Sequence, residues 1–219
     1  MRINLPNRLT LLRLSLVPAF MIFMIEDNFW TRVAALVIFI GASLTDLYDG
    51  IIARRTGTVT VIGTFLDPLV DKMLIAAALV GFVELRELHI SAWMVVLIIS
   101  REFLITGLRS LADARGIVMA AERAGKFKMT SQITAIITIL VIMIVESAFD
   151  RWPQLLLLVP ASARDGLFSA MERLPYWLVF WVALTTVLSG YLYLHKYSDL
   201  LKREFAILKI KPSRSERMP

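Results

Sequence analysis

The sequence predicts an all-α, polytopic membrane protein with six transmembrane helices. Hydrophobic residues make up 58% of its 219 residues, and the mean hydropathy is +0.69, which lies outside the range of soluble proteins. Apolar runs of about 20 residues, long enough to cross a bilayer, recur along the chain. The predicted spans are 9–25, 32–52, 65–83, 92–111, 129–147 and 176–194.

Basic residues set the predicted orientation of these spans. The net charge is +6, and most of the positive charge falls on one side: the turn with Arg54 and Arg55, the connection before the fifth span, and the C-terminal tail. The opposite connections hold fewer arginines, several of them beside acids. By the positive-inside rule, we expect both termini to lie on the cytoplasmic side of the cell (inner) membrane. We therefore attribute the basic residues to the orientation of the spans in a lipid bilayer. We do not expect nucleic acid as a partner.

Arg13 interrupts the first predicted span, and the apolar residues that follow it are too few to cross a bilayer by themselves. We expect Arg13 to snorkel toward the inner surface and residues 4–12 to form an interfacial amphipathic turn. The acidic and aromatic residues after Ile25 do not form a signal-peptide cleavage site, so the segment is expected to be retained.

Two other segments fall outside the six spans. Residues 148–175 contain Pro153, Pro160 and Pro175 and only short apolar runs, so we expect an interfacial lid or short hairpin on the outer face. The chain is divided into a transmembrane domain, 1–208, and a polar cytoplasmic tail, 209–219.

There is no cysteine, which excludes disulfides and thiolate-bound metals.

Four aspartates stand at the predicted inner ends of the second and third spans. The full pattern is D-x2-D-G-x2-A-R-x8-G-x3-D-x3-D, formed by Asp46, Asp49, Gly50, Ala53, Arg54, Gly63, Asp67 and Asp71. One charged residue near a bilayer centre costs roughly 2.5–3.5 kcal/mol, so four acids require compensation. Spacings of three and four place each pair on one helix face.

The four carboxylates indicate a hard, oxygen-rich site for Mg²⁺ or Mn²⁺, and two divalent ions would balance their charge. Two metals can clamp the attacking and leaving oxygens of a phosphoryl transfer, and Gly50, Ala53 and Gly63 would let a diphosphate approach the backbone. Arg54 could then hold phosphate as a fork. The alternative is a set of salt bridges or a solvated rim, and Arg54 could also be an ordinary membrane-boundary arginine.

This pattern matches the signature of the CDP-alcohol phosphatidyltransferase family of membrane enzymes. Within the family the chain resembles the phosphatidylglycerophosphate synthase branch over about residues 4–201. The motifs that carry this second likeness are Asn4-Leu5-Pro6-Asn7 with Thr10 and Arg13, Phe65-Leu66-Asp67-Pro68-Leu69 with Asp71-Lys72, Ser100-Arg101-Glu102-Phe103, Gly107-Leu108-Arg109 and Gly125-Lys126-Phe127-Lys128.

The resemblance implies transfer of the phosphatidyl group of CDP-diacylglycerol to the 1-hydroxyl of glycerol 3-phosphate, releasing CMP. By family analogy Asp46, Asp49, Asp67 and Asp71 hold the metals, and Asp71 is the base for the hydroxyl. The CDP site would comprise Gly50, Ala53, Arg54, Gly63, Asn7 and Thr10, although Asn7 and Thr10 could instead cap the first helix. The resemblance also implies a homodimer.

The acceptor's phosphate dianion needs a cationic site of its own. We predict that Arg101, Arg109 and Lys126 provide it, since a cation within an apolar span requires a nearby anion. A salt bridge from Arg101 to Glu102 is the structural alternative, and Lys126 and Lys128 could be topology markers. Inositol phosphate is the nearest competing acceptor, ahead of serine or choline.

Two other classes of protein place aspartates in membrane helices. A prenyltransferase uses acidic motifs and magnesium on a diphosphate, but its motifs lie far apart in the chain. In a cation-coupled transporter the acids would form a pathway, whereas here they lie at one predicted face of the membrane. Metal-dependent release of CMP would distinguish the phosphatidyltransferase from both.

Overall fold

The computed structural model describes residues 5–56, 61–113 and 123–198, with side chains at 12–45, 70, 72–110, 112 and 125–198. These residues form six α-helices: α1 (Leu5–Ile25), α2 (Phe29–Thr56), α3 (Val61–Glu84), α4 (Ala92–Asp113), α5 (Arg123–Arg151) and α6 (Ala161–Lys196). Two short 3₁₀ helices, Arg86–Leu88 and Pro153–Leu158, lie between them. The described part of the chain has no strand, which confirms the predicted all-α class. The predicted tail, 209–219, lies outside it.

The helices form a bundle around one apolar core. Helix α1 packs against α2 and α3, while α6 packs against α4 and α5, and α2 also contacts α5. Aromatic residues fill the contact between α1 and α2, where the Phe20 and Phe39 ring centroids are 5.8 Å apart. The largest fully buried side chains of the core are Phe20, Phe39, Phe82, Met24, Leu79, Met94, Ile98, Ile136, Ile139, Leu140 and Met143.

The surface of this bundle is apolar, while several polar groups are buried inside it. Large apolar side chains are exposed on all six helices, among them Ile22, Val37, Val80, Val96, Val141 and Leu188. Buried polar side chains include Lys128, Gln132 and Ser189. A soluble protein avoids such extensive exposed apolar surface, whereas a bilayer solvates it. Among the described residues, Gly125–Arg151 and Ala161–Lys196 are long and apolar enough to cross a membrane, and Leu12–Ile25 and Phe29–Thr45 are shorter apolar helices.

The prediction for Arg13 is wrong. Helix α1 runs without interruption from Leu5 to Ile25, so residues 5–12 continue the same helix and do not form a separate interfacial turn. Arg13 is only 5% exposed, and it lines a cavity of about 170 Å³ between α1, α2, α3 and α5. Its guanidinium is thus kept inside the bundle and does not snorkel, because the neighbouring helices enclose it.

For residues 148–175, the predicted short hairpin is wrong. Helix α6 begins at Ala161 and continues through Pro175, so most of the segment extends the last helix and does not form a hairpin. Pro175 removes one backbone donor inside a helix, but its ring is buried against the bundle, and this packing offsets the lost hydrogen bond. Only Pro153–Leu158 forms a separate short turn, and Leu157 and Leu158 are exposed there.

Candidate active site

The predicted metal and CDP residues lie on three helices. Asp46, Asp49, Gly50, Ala53 and Arg54 are on α2, Gly63, Asp67 and Asp71 are on α3, and Asn7 and Thr10 are on α1. Four residues separate α2 from α3, so the ends of the two helices lie within about 18 Å, and each pair of aspartates lies about two helical turns from its end. The side chains themselves lie outside the described residues. The described side chains contain no group of three possible metal ligands among His, Cys, Asp and Glu.

A cavity of about 220 Å³ opens between α3, α4, α5 and α6. Among the described side chains, five cations and one carboxylate line it, which gives this part of its wall a formal charge of +4. The ionisable side chains that line it are Lys72, Arg101, Glu102, Arg109, Lys126 and Lys128. A cavity with this excess of positive charge attracts and holds an anion.

Glu102 organises the deeper cations of this cavity. Its Oε2 accepts from Lys72 Nζ at 3.1 Å, and its Oε1 accepts from the Arg101 guanidinium at 3.1 Å and also from Lys128 Nζ. The Glu102 side chain is 17% exposed, so water screens these pairs only in part. One carboxylate therefore connects α3, α4 and α5 and holds three cations against their mutual repulsion.

Helix α6 closes the cavity from the fourth side. Ser189 Oγ accepts a hydrogen bond of 2.9 Å from Arg101. Gly190 lies beneath the same side chain, where an added Cβ would stand 3.1 Å from Arg101 Cγ, so the small residue leaves room for the arginine. The Arg109 guanidinium lies 5.9 Å from the centroid of the Tyr193 ring, within the range of a cation–π interaction.

Three buried nitrogen donors on this cavity have no hydrogen-bond acceptor among the described residues. They are Nε of Arg101, Nε of Arg109 and Nε2 of Gln132. Leaving a buried donor unsatisfied costs roughly 1–3 kcal/mol, and native proteins contain few such groups. Donors that converge on one cationic cavity are therefore placed to bind a ligand with several oxygen acceptors.

The structure brings together the three residues predicted to hold the acceptor phosphate. Arg101, Arg109 and Lys126 line the same cavity, although Arg101 also forms the ion pair with Glu102 that was the structural alternative. Lys128 is 3% exposed and bound to Glu102, so it is not a solvated marker of the membrane boundary.

Sequence reasoning did not assign five other polar residues of this cavity to the site: Lys72, Thr106, Gln132, Ser189 and Tyr193. Two of them carried a signal in the sequence. Lys72 directly follows Asp71, and Gln132 stands four residues after Lys128 on the same helix face. Ser189 and Tyr193 carried none, because only the packing of α6 against α4 brings them to the site.

Comparison with known proteins identifies the family. The model of the CDP-alcohol phosphatidyltransferase family matches residues 3–161. The chain belongs to this family. The resemblance drawn from the aspartate motif is thereby confirmed, and the bundle with its apolar surface is that of a membrane protein. Family membership favours phosphatidyl transfer over the prenyltransferase and transporter alternatives.

Several curated relatives are similar over most of their own length. A Bacillus subtilis (strain 168) protein named CDP-diacylglycerol–glycerol-3-phosphate 3-phosphatidyltransferase is 44% identical over 149 residues, which cover 63% of this chain and 76% of that protein. The Escherichia coli (strain K12) protein of the same name is 38% identical over 142 residues, covering 62% and 76%. A Mycobacterium tuberculosis (strain CDC 1551 / Oshkosh) protein named probable phosphatidylglycerophosphate synthase is 42% identical over 136 residues, covering 61% and 64%.

Proposed function

We propose that this protein transfers the phosphatidyl group of CDP-diacylglycerol to the 1-hydroxyl of sn-glycerol 3-phosphate, giving phosphatidylglycerol phosphate and CMP. The family match supports the reaction type, and the names of the relatives support the pair of substrates. The choice of acceptor rests on the cavity that five cations line. One of these cations is Lys72, which directly follows Asp71 in the chain. An acceptor with a phosphate group suits that cavity, whereas serine or choline does not.

Asp46, Asp49, Asp67 and Asp71 would hold two Mg²⁺ or Mn²⁺ ions. The donor set fits, because it consists of four hard carboxylates on two helices in a chain without cysteine. Bound there, the ions would neutralise the diphosphate and stabilise the charge that develops during transfer. Gly50, Ala53, Arg54 and Gly63 would line the CDP site beside these aspartates, with Asn7 and Thr10 on α1.

The acceptor site would lie in the cationic cavity next to α3. Arg101, Arg109 and Lys126 would hold the phosphate dianion of glycerol 3-phosphate, while Lys72 and Lys128 add to the positive potential. Glu102 fixes the cations before substrate arrives, so little side-chain entropy is lost on binding. Lys72, which follows Asp71 in the chain, lines the same cavity, so an acceptor bound there would have its reactive hydroxyl near the aspartates of α3.

The transfer itself forms one bond and breaks another. Asp71 accepts the proton of the 1-hydroxyl as its oxygen attacks the β-phosphorus of CDP-diacylglycerol. The bond from that phosphorus to the bridging oxygen breaks, and the bridging oxygen leaves on CMP. Positioning of the two substrates supplies a large share of the rate acceleration in reactions of this kind.

The finer topology belongs to the same proposal. Six spans with both termini in the cytoplasm would place the aspartates at the inner face of the cell membrane, and the protein would act as a homodimer. The six α-helices correspond one to one with the predicted spans, and the exposed apolar side chains on each of them support immersion in lipid.

CMP release provides the direct test of the proposed function. Purified protein in detergent should release CMP from CDP-diacylglycerol only when Mg²⁺ or Mn²⁺ and glycerol 3-phosphate are both present, and chelation with EDTA should abolish the reaction reversibly. Release with inositol phosphate in place of glycerol 3-phosphate would keep the chemistry and change the acceptor. Folded protein that releases no CMP with any acceptor would contradict the proposal.

The Arg109→Ala variant tests the acceptor site. Loss of a charged hydrogen-bond donor to phosphate should raise the KM for glycerol 3-phosphate by about 10- to 100-fold, with a smaller effect on the KM for CDP-diacylglycerol. Arg86→Ala is the matched control, because Arg86 is exposed in the 3₁₀ helix between α3 and α4. An unchanged KM for glycerol 3-phosphate in Arg109→Ala would show that the phosphate binds elsewhere.

A further inference from the structure

Gln132 is a buried polar residue whose side chain has no evident structural purpose. It lies on α5, is 2% exposed, and its Nε2 has no acceptor among the described residues. The side chain lines both the cationic cavity and a smaller cavity of about 20 Å³ between α3, α4 and α5. An amide buried without an acceptor destabilises the fold, so a bound ligand is the natural partner for this donor.

The position of Gln132 relative to the cations limits what that ligand atom can be. Gln132 follows Lys128 by one helical turn, so both side chains lie on the face of α5 that meets the cavity. Lys128 is bound to Glu102, and the Ser189 hydroxyl already accepts from Arg101. Gln132 therefore contributes a neutral donor without an acceptor among the described residues, in a cavity whose polar lining otherwise consists of six charged side chains with Thr106, Ser189 and Tyr193.

The acceptor has three polar parts for the site to recognise. In glycerol 3-phosphate the phosphate dianion pairs with the cations, and the 1-hydroxyl must face Asp71 to react. The 2-hydroxyl remains, and it is neutral. An amide suits such a group, because it can donate to the hydroxyl oxygen from Nε2 while its own oxygen can accept the hydroxyl proton.

We propose that Gln132 binds the 2-hydroxyl of the acceptor and makes the enzyme selective for a phosphorylated vicinal diol. This inference rests on the proposed function and assigns one more binding residue to the same site. A site that hydrogen-bonds a substrate hydroxyl rejects an analogue without it, because the analogue leaves the buried donor unsatisfied. The absence of the hydroxyl should therefore matter in the wild-type protein and not in a protein that lacks the amide.

The test compares two acceptors that differ only in that hydroxyl. Glycerol 3-phosphate and 3-hydroxypropyl phosphate have the same phosphate and the same reactive primary hydroxyl. The wild-type protein should use glycerol 3-phosphate with a kcat/KM at least about 10-fold higher than that for 3-hydroxypropyl phosphate. In Gln132→Leu this preference should disappear, through a fall in kcat/KM for glycerol 3-phosphate and little change for the analogue.

Gln132→Met provides a second variant, since methionine is unbranched, similar in length and readily accommodated in cores. It should lose the preference in the same way, and thermal unfolding of both variants shows whether the fold is retained. An equal fall for both acceptors, or a preference kept in both variants, would overturn the role of Gln132.

Calorimetric titration with each acceptor, in the absence of CDP-diacylglycerol, separates this inference from the proposed function. If the wild-type protein released no CMP with glycerol 3-phosphate, the proposed reaction would fail. Tighter binding of glycerol 3-phosphate than of the analogue, lost in Gln132→Met, would still support the amide contact. Equal binding of both acceptors by the wild-type protein would overturn it.

Discussion

Asp71→Asn is expected to reduce CMP release by at least about 10³-fold, because the substitution removes a charged group proposed both as a metal ligand and as the base for the attacking hydroxyl. Asparagine keeps the shape of the side chain but cannot take up the proton at neutral pH. The expected defect therefore lies in kcat, measured as CMP release at saturating concentrations of both substrates and metal.

Binding of CDP-diacylglycerol should survive in Asp71→Asn, since the other three aspartates and the proposed CDP site on α1, α2 and α3 are unchanged. Asp150→Asn is the matched control, because Asp150 is exposed at the C-terminal end of α5, whereas Lys126 and Lys128 of the cavity lie at the N-terminal end. This variant should retain wild-type activity. If Asp71→Asn kept more than a tenth of the wild-type kcat, the base would have to be another residue. Loss of nucleotide binding together with turnover would assign Asp71 to substrate binding instead.

Glu102→Gln is expected to have the largest effect on stability. The substitution removes the carboxylate that, among the described residues, pairs with Lys72, Arg101 and Lys128, and leaving such partly buried cations without that counter-charge costs about 2 kcal/mol or more. For a chain of this length that loss lowers Tm by several degrees. Thermal unfolding of the purified protein in detergent measures the shift.

An added anion should partly restore the stability of Glu102→Gln. Phosphate binding in the cavity would supply the missing negative charge, so phosphate should raise Tm more in the variant than in the wild-type protein. Glu172→Gln is the matched control, because Glu172 is exposed on α6, and its Tm should stay near that of the wild type. A Glu102→Gln protein as stable as the wild type would show that the three cations do not depend on this carboxylate.

Much of the architecture follows from local features of the sequence. Six apolar runs predict the six α-helices, because a helix satisfies its own backbone hydrogen bonds and needs only a continuous apolar segment to be stable in lipid. The aspartate motif predicts the family, since its spacing is set within two neighbouring helices and needs no distant contact. Arg101 and Arg109, two of the residues that line the cationic cavity from α4, were found because a cation inside an apolar run is conspicuous.

Packing between helices that are far apart in the chain determined the features that local sequence patterns did not predict. Arg13 is buried because α2, α3 and α5 surround it, and Pro175 remains inside α6 because the bundle buries its ring; neither fact is encoded in the local pattern. The sequence by itself determined the helices and, through the aspartate motif, the family. Only the tertiary structure placed Ser189 and Tyr193 on the cationic cavity, because α6 packs against α4 there through contacts between residues far apart in the chain.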